Sequence, residues 1–166
     1  MSSIREKDSV IHSFAPIVDS RSKLLILGTM PGKESLRMNA YYAHPQNAFW
    51  KIIFNLLDLP FSADHHERRA ILLRHEMAVW DVLRSCERSS SLDNDIRLEQ
   101  PNDLRSLLLS YPGISRIFFN GKVAARYFAK YFPDIRLMNH VLPSSSPAHA
   151  IKLEQKQLAW QVIKTF

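Results

Sequence analysis

Short runs of apolar residues, each ending in a turn or a polar loop, recur along this 166-residue chain. Runs that are apolar throughout, rather than alternating with polar residues, are typical of strands buried on both faces of a parallel sheet. Residues 24–27 form such a run, and an apolar run interrupted by Asp81 predicts a second strand at residues 77–83. We assign the third and fourth strands to residues 114–119 and 134–141.

Apolar residues at helical spacing lie between these strands. One stripe defines the buried face of a helix, made of Trp50, Ile53, Phe54 and Leu57. Asn47 and Asn102 stand where N-caps are expected. Further helices are predicted over residues 64–76, 102–111, 123–131 and 154–164. Strands alternating with helices predict one α/β domain over residues 1–166, with helices on both faces of a parallel sheet.

Two segments lack periodicity. Residues 1–22 have a polar start and then an extended lead-in, in which Pro16 prevents a regular helix. Residues 85–100 are predicted to form a polar loop at the same sheet edge as the loop after the first strand.

Composition narrows the class of protein. The single cysteine, Cys86, excludes an internal disulfide framework and any multi-cysteine metal site. No apolar segment reaches the roughly 18 residues of a membrane span. The start of the chain lacks the apolar core of a signal peptide, so we expect a cytoplasmic protein without membrane contact. The net charge of +6 fits a polyanionic partner without requiring one. No convincing set of metal ligands is present, and we expect neither a metal nor a cofactor.

The segment from Gly28 to Trp50 carries the candidate chemistry. It follows the first predicted strand, and ligands of open α/β sheets bind beyond the carboxyl ends of the strands. Gly28, Pro31 and Gly32 form a turn in which the backbone can approach a ligand closely. The tyrosines and amides that follow can stack on a planar ring and hydrogen-bond its edge. A binding pocket is therefore favoured over the alternative, a structural crossover loop.

Several motifs resemble those of a known family. HPQNAFWKII at residues 44–53 is similar to the first motif of the mismatch-specific uracil-DNA glycosylases. The wider context YYAHPQNAFW, with LPSSSPA at 142–148, resembles the DNA-deoxyinosine (hypoxanthine-DNA) glycosylases, the sixth family of the uracil-DNA glycosylase superfamily. WDVLRSCER at 80–88, SLDNDI at 91–96 and FFNGK at 118–122 fit in order, so the resemblance covers nearly the whole chain. It implies a three-layer α/β/α sandwich with a central, mostly parallel four-stranded sheet.

The resemblance also implies catalytic residues. Most members of the superfamily place Asp or Asn before the proline of the first motif, to position the attacking water. Met30 occupies that place here, and a thioether is a weak acceptor. Asn39 matches the catalytic asparagine further along the loop of the deoxyinosine family; the alternative is an asparagine that stabilises a turn. Asn120 is the second pocket amide by resemblance, with the turn before Gly121 as its alternative role.

The same resemblance implies which residues contact the base and the DNA. One of the two adjacent tyrosines is expected to stack on the flipped base, because successive residues of an extended segment point oppositely. For Asp81 the alternative to base binding is a purely structural role, and for Asn47 it is capping of the helix. The predicted base-binding residues are Gly28, Thr29, Met30, Tyr41, Tyr42, Asn47 and Asp81. The predicted DNA-binding residues are Gly32, Lys122, Ser144, Ser145, Ser146 and His149, with Lys152 as a further phosphate contact.

The function implied is a monofunctional DNA glycosylase of base excision repair. It would flip out a deaminated base, hypoxanthine in deoxyinosine, and hydrolyse its glycosidic bond. Nothing indicates a Schiff-base lysine, so we expect an abasic product. The partner is damaged DNA, and the protein is expected to be a monomer. The alternatives are a uracil or mismatch-specific glycosylase, and a non-catalytic nucleic-acid-binding module on the same fold.

Overall fold

The computed structural model describes residues 9–165, which form seven strands and six helices. The strands are β1 (Val10–His12), β2 (Leu24–Gly28), β3 (Met77–Asp81), β4 (Leu83–Glu87), β5 (Arg97–Pro101), β6 (Arg116–Asn120) and β7 (Met138–Leu142). The helices are α1 (Lys33–Met38), α2 (Phe49–Leu56), α3 (His65–Arg74), α4 (Leu104–Ser110), α5 (Lys122–Tyr131) and α6 (Leu153–Trp160). Short 3-10 turns lie at Asp93–Asp95 and Gln161–Thr165.

A four-stranded sheet of order β3-β2-β6-β7 forms the centre of the molecule, and its three strand pairings are all parallel. β2 lies between β3 and β6, and all five of its residues are buried. Its apolar run is unbroken because the side chains on both of its faces meet another layer of the protein.

Two apolar clusters cover the faces of this sheet. Ile26, Val79 and Phe118 belong to the cluster that α2, α3 and α6 complete on one face. Leu25 and Leu27 belong to the cluster on the other face, where α4, α5 and β4 pack. The predicted α/β/α sandwich with a four-stranded parallel sheet is therefore confirmed.

A second, antiparallel sheet of order β1-β4-β5 corrects two of the sequence predictions. The run at 77–83 is not one strand, because β3 ends at Asp81 and β4 begins at Leu83 in the other sheet. The segment 85–100 is not a loop, since it contains most of β4 and β5. β5 is an edge strand with an exposed and polar surface, so its stability comes from backbone pairing that leaves no apolar pattern.

Three local predictions also differ from the structure. Helix α1 lies inside the segment that was predicted to be a continuous loop. The N-cap of α4 is Asp103, whose carboxylate accepts from Ser106 N, whereas Asn102 Nδ2 donates to the carbonyl oxygens that end β3 and begin β4. The predicted lead-in begins outside the described residues, and its described part contains β1 and an isolated bridge from Ile17 to Val79.

Within residues 9–165, no helix combines the length and apolar character that a membrane crossing requires. The same residues contain no group of three His, Cys, Asp or Glu side chains placed to hold a metal ion.

Candidate functional site

A cleft of about 920 Å³ opens at the carboxyl ends of the parallel strands. Its walls are the segments that follow β2, β3, β6 and β7, together with residues 91–94. The parallel topology explains this convergence, because the ends of all four strands meet at one edge of the sheet. The four strand ends therefore build one site from segments that are distant in sequence.

The floor of the cleft is formed by Gly28, Asp81 and Tyr42. A Cβ atom on Gly28 would lie 2.5 Å from Asp81 Oδ1 and 2.7 Å from the Tyr42 hydroxyl, so no larger residue fits there without displacing them. Asp81 Oδ2 and the Tyr42 hydroxyl are buried without a hydrogen-bond partner in the described part of the chain. Buried polar atoms without partners are costly, and a bound ligand is one means of satisfying them.

Burial controls the charge of these two groups. It raises the pKa of Asp81 to about 7, an effect that nearby Asp93 strengthens and Arg88 opposes. Burial and the neighbouring Asp81 also raise the pKa of Tyr42. Near neutral pH the floor therefore presents a neutral tyrosine hydroxyl, which can donate, and a carboxyl group that is divided between its donor and acceptor forms.

The two adjacent tyrosines have different surroundings. The Tyr42 ring stacks on Phe49, with 4.0 Å between ring centroids and 18° between planes. The Tyr41 hydroxyl instead donates to Ala15 O at 2.8 Å, and Tyr41 O accepts from Trp50 Nε1 at 2.9 Å. Both residues contact the cleft, but only Tyr42 places its hydroxyl beside Gly28 and Asp81.

The serine-rich loop after β7 is tied to the end of β6 by Asn120. Asn120 Nδ2 donates to Ser145 Oγ at 2.9 Å, and Ser145 N donates to Asn120 Oδ1 at 2.8 Å. Ser145 O also accepts from Ala48 N at 2.9 Å, which connects the loop to the start of α2. Asn120 lines the cleft, and both ends of its amide hold the loop in place.

Comparison with known proteins shows the family to which this chain belongs. The sequence model of the Uracil DNA glycosylase superfamily matches residues 15–165. The chain belongs to that superfamily. Its relatives include a hypoxanthine DNA glycosylase from Methanosarcina barkeri (strain Fusaro / DSM 804), which is 32% identical over 152 residues, or 89% of this chain and 93% of the relative.

A second hypoxanthine DNA glycosylase, from Methanosarcina acetivorans, is 31% identical and covers 90% of this chain and 95% of the relative. A protein of the same organism, solved by solution NMR and described there as a candidate uracil DNA glycosylase, aligns with a TM-score of 0.80 at 26% identity. That alignment covers 94% of this chain and 99% of the NMR structure. The predicted family and the predicted class of enzyme, a DNA glycosylase, are confirmed.

Most site residues that the sequence suggested for this glycosylase line the cleft. On the base side these are Gly28, Thr29, Met30, Tyr41, Tyr42, Asn47, Asp81 and Asn120. On the predicted DNA side they are Gly32, Lys122, Ser144, Ser145, Ser146 and His149. Lys152 is exposed and lies outside the lining. Their shared position is observed, whereas their individual roles stay predictions.

Asn39 is the predicted catalytic residue that the structure does not bring into the cleft. It is exposed, it ends helix α1 as the C-cap, and it has the left-handed backbone conformation with φ of 50°. Helix α1 explains the difference, since it carries the chain away from the cleft before the segment returns at Tyr41. Asparagine is one of the few residues that adopt this conformation readily, which agrees with the turn role.

Asn47 is the nearest amide of the same segment that does line the cleft. Its Oδ1 accepts from Phe49 N at 3.0 Å and so supports the start of α2. Its Nδ2 has no hydrogen-bond partner in the described range and is available to a ligand. The N-cap of α2 is Ala48, so the predicted N-cap at Asn47 is wrong by one residue, while the binding role of Asn47 stays a prediction.

Residues 91–94 form a wall of the cleft to which the sequence assigned no site residue, and Arg88 lies beside this wall. Arg88 Nη2 donates to Pro31 O, and Ser91 Oγ accepts from Lys33 N at 2.9 Å. Ser91 thereby caps helix α1, because Gly32 offers no side chain for that purpose. Burial raises the pKa of Asp93, with Arg88 and the Thr29 hydroxyl opposing the shift. The resemblance of SLDNDI to the family was the one signal that could have marked this wall.

Proposed function

We propose that this DNA glycosylase removes hypoxanthine from deoxyinosine in DNA, by hydrolysis and without cutting the strand. The observation that carries the proposal is the unsatisfied pair at the cleft floor, Asp81 Oδ2 and the Tyr42 hydroxyl. Both curated relatives described above are named hypoxanthine DNA glycosylases, which supports the same substrate. The cleft is formed within one chain, and we propose that the protein acts as a monomer on damaged DNA.

The chemistry of deamination fits this pair. Conversion of adenine to hypoxanthine replaces the amino group by a carbonyl oxygen and adds a proton to the neighbouring ring nitrogen. The base edge then offers an acceptor beside a donor, which a tyrosine hydroxyl and a carboxylate can match. Adenine offers the reverse order, and the ionised form of Asp81 has no proton to donate to its ring nitrogen. Adenine would therefore leave buried groups unpaired against the carboxylate, and such mismatches support discrimination.

The remaining cleft residues have proposed roles in the same reaction. The ring of Tyr42 or its neighbours would contact the face of the flipped base, and Asn47 Nδ2 would contact the base or the attacking water. Asn120 would hold the serine-rich loop against the DNA backbone through Ser145. Met30 lines the cleft but offers only a weak acceptor, so the water must be positioned by other groups.

Base release from matched duplexes tests this function. Duplexes that carry one deoxyinosine, one deoxyuridine or no lesion are incubated with the protein, free bases are measured by mass spectrometry, and strand scission is measured on gels. We expect hypoxanthine release without scission. Release of uracil alone would favour the uracil or mismatch-specific alternative. Binding of lesion DNA with no base released would favour the non-catalytic module.

The Asp81→Ala variant tests the floor itself. We expect its hypoxanthine release to fall at least about tenfold, because a bound base would lose the partner of its ring N–H. Asp95→Asn is the control, since Asp95 lies outside the cleft lining and accepts from Ser90 Oγ. Equal activity of wild type and Asp81→Ala would contradict the assignment of the floor.

A further inference from the structure

Lys156, on helix α6, is a buried cation for which neither the sequence motifs nor the proposed chemistry gives a role. Only 3% of the residue is exposed. Its Nζ donates to Ser146 O at 3.0 Å, and this is the one hydrogen bond that the ammonium group makes within residues 9–165. An ammonium group has three donors, so two of them have no acceptor in the described chain.

Lys156 also lacks a counter-ion. No carboxylate in the described range forms an ion pair with it, and burial alone lowers its pKa, with no neighbouring charge contributing. A buried charge without an opposite charge is strongly unfavourable, and a neutral side chain of similar length would fill the same space without that cost. The ammonium group of Lys156 therefore lacks a negatively charged partner within the described residues.

The position of Lys156 indicates where that partner binds. Ser146 O, its acceptor, also accepts from His149 N at 3.0 Å and so closes the turn over residues 146–149. Trp160, one helical turn further along α6, donates from Nε1 to Pro143 O at 2.9 Å. Helix α6 thus supports the serine-rich loop from inside, while Ser146 and His149 line the cleft on the other side.

We propose that Lys156 is a positioning residue for DNA binding, and that a phosphodiester group of the bound strand supplies its missing negative charge across the loop at residues 143–149. The inference rests on the proposed function, because it requires DNA in the cleft. Lys156 fixes the carbonyl around which the loop turns, and its charge favours a phosphate at the loop surface. Serine hydroxyls and backbone amides at that surface can hold a phosphate without a charge of their own.

Salt dependence of DNA binding separates this role from a purely structural one. A cation that is neutralised by a phosphate contributes to counter-ion release. Log K falls as log salt rises, and removing the cation makes this negative slope less steep by about 0.9. A lysine that only supports the loop changes the affinity but not the slope. The slope is therefore the decisive measurement.

The experiment uses the full chain and a duplex that contains one tetrahydrofuran abasic site, so that no base needs to be released. Dissociation constants are measured by fluorescence anisotropy from about 50 to 200 mM salt, the range over which phosphate contacts dominate the change in affinity. The variants are Lys156→Met, Lys156→Arg and a control, Lys23→Met. Lys23 precedes β2 at the opposite end of the sheet and pairs with Glu76 on the surface.

We expect Lys156→Met to bind roughly tenfold more weakly, the size of one favourable interaction with a charged group, with the negative slope less steep by about 0.9. Lys156→Arg should keep the wild-type slope because it keeps the charge, and this variant also guards against misfolding of the methionine variant. Lys23→Met should behave as wild type. Thermal unfolding of Lys156→Met should stay at or above the wild-type temperature, since methionine packs without a desolvated charge.

An unchanged slope in Lys156→Met, or an equal loss in Lys23→Met, would overturn the role of Lys156 alone. A wild type that fails to bind the duplex would overturn both this inference and the proposed function. The two failures are therefore distinguishable from the wild-type measurement.

Discussion

The buried carboxyl group of Asp81 should make the stability of this fold depend on pH, and the Asp81→Asn variant should remove that dependence. Asp81 is 4% exposed, and burial raises its pKa from 3.8 to about 7. The native state therefore binds this proton more tightly than the unfolded state does. Between these two pKa values the wild type loses stability as the pH rises, because the native state must either keep the proton or bury a charge.

The magnitude follows from the size of the shift. A change of about 3 pKa units corresponds to about 4 kcal/mol of unfolding free energy, at about 1.4 kcal/mol for each unit. About 3 kcal/mol of this total falls between pH 5 and pH 8, since the group is already partly ionised in the unfolded state at pH 5. Asparagine has the same shape and no titration, so the variant isolates this contribution.

Urea unfolding of wild type and Asp81→Asn at pH 5 and pH 8 measures the effect. Other groups titrate over this range in both proteins, and their contributions cancel when the two unfolding free energies are subtracted. We expect the wild type to lose about 3 kcal/mol relative to the variant on going from pH 5 to pH 8. Parallel curves for the two proteins would refute the argument, because they would mean that Asp81 is ionised in the fold without penalty.

Three further substitutions test the site. Asn120→Ala should lower the free energy of unfolding, measured in urea, by about 2–4 kcal/mol, because it leaves Ser145 N and Oγ buried without partners. Asn120→Asp should lower it less, because a carboxylate can still accept from both groups. Gly28→Ala should slow single-turnover base release at least about tenfold, since its Cβ would displace Asp81 Oδ1. Asn39→Ala should cost less than about 1 kcal/mol of stability and keep base release, as expected for an exposed C-cap; loss of base release in a folded Asn39→Ala variant would support its catalytic assignment.

The central sheet could be predicted because its strands are buried on both faces. β2 is an unbroken apolar run for this reason, β6 has a shorter one at residues 117–119, and α2 shows its buried face at helical spacing. β5 left no such signal, since its Arg97, Glu99 and Gln100 make it look like a loop until it is paired with β4. The local pattern of apolar residues indicates which side chains are buried, and an exposed edge strand buries few of them.

The site was predictable to the extent that its residues follow strand ends. Asn120 and Asp81 end β6 and β3, so parallel topology alone brings them to the same edge. The exposed position of Asn39 was not predicted, because α1 is six residues long and has too few apolar positions to show helical periodicity. The hydrogen bond from Lys33 N to Ser91 Oγ joins residues 58 positions apart, and no local pattern indicates it.

The distribution of unsatisfied polar atoms links the fold to its function. Among the described residues, the buried side-chain atoms without a partner are the Tyr42 hydroxyl, Asp81 Oδ2, two nitrogens of Arg88 and one of Arg116. Tyr42 and Asp81 line the cleft, and Arg88 holds Pro31 at its edge. A protein selected for stability alone would pair or remove such groups. Arg116 begins β6 at the opposite end of the sheet, but the other unpaired atoms lie in or beside the cleft. The free protein therefore carries a cost at the cleft that contacts with a base would offset, so substitutions that stabilise the empty cleft should weaken binding of its substrate.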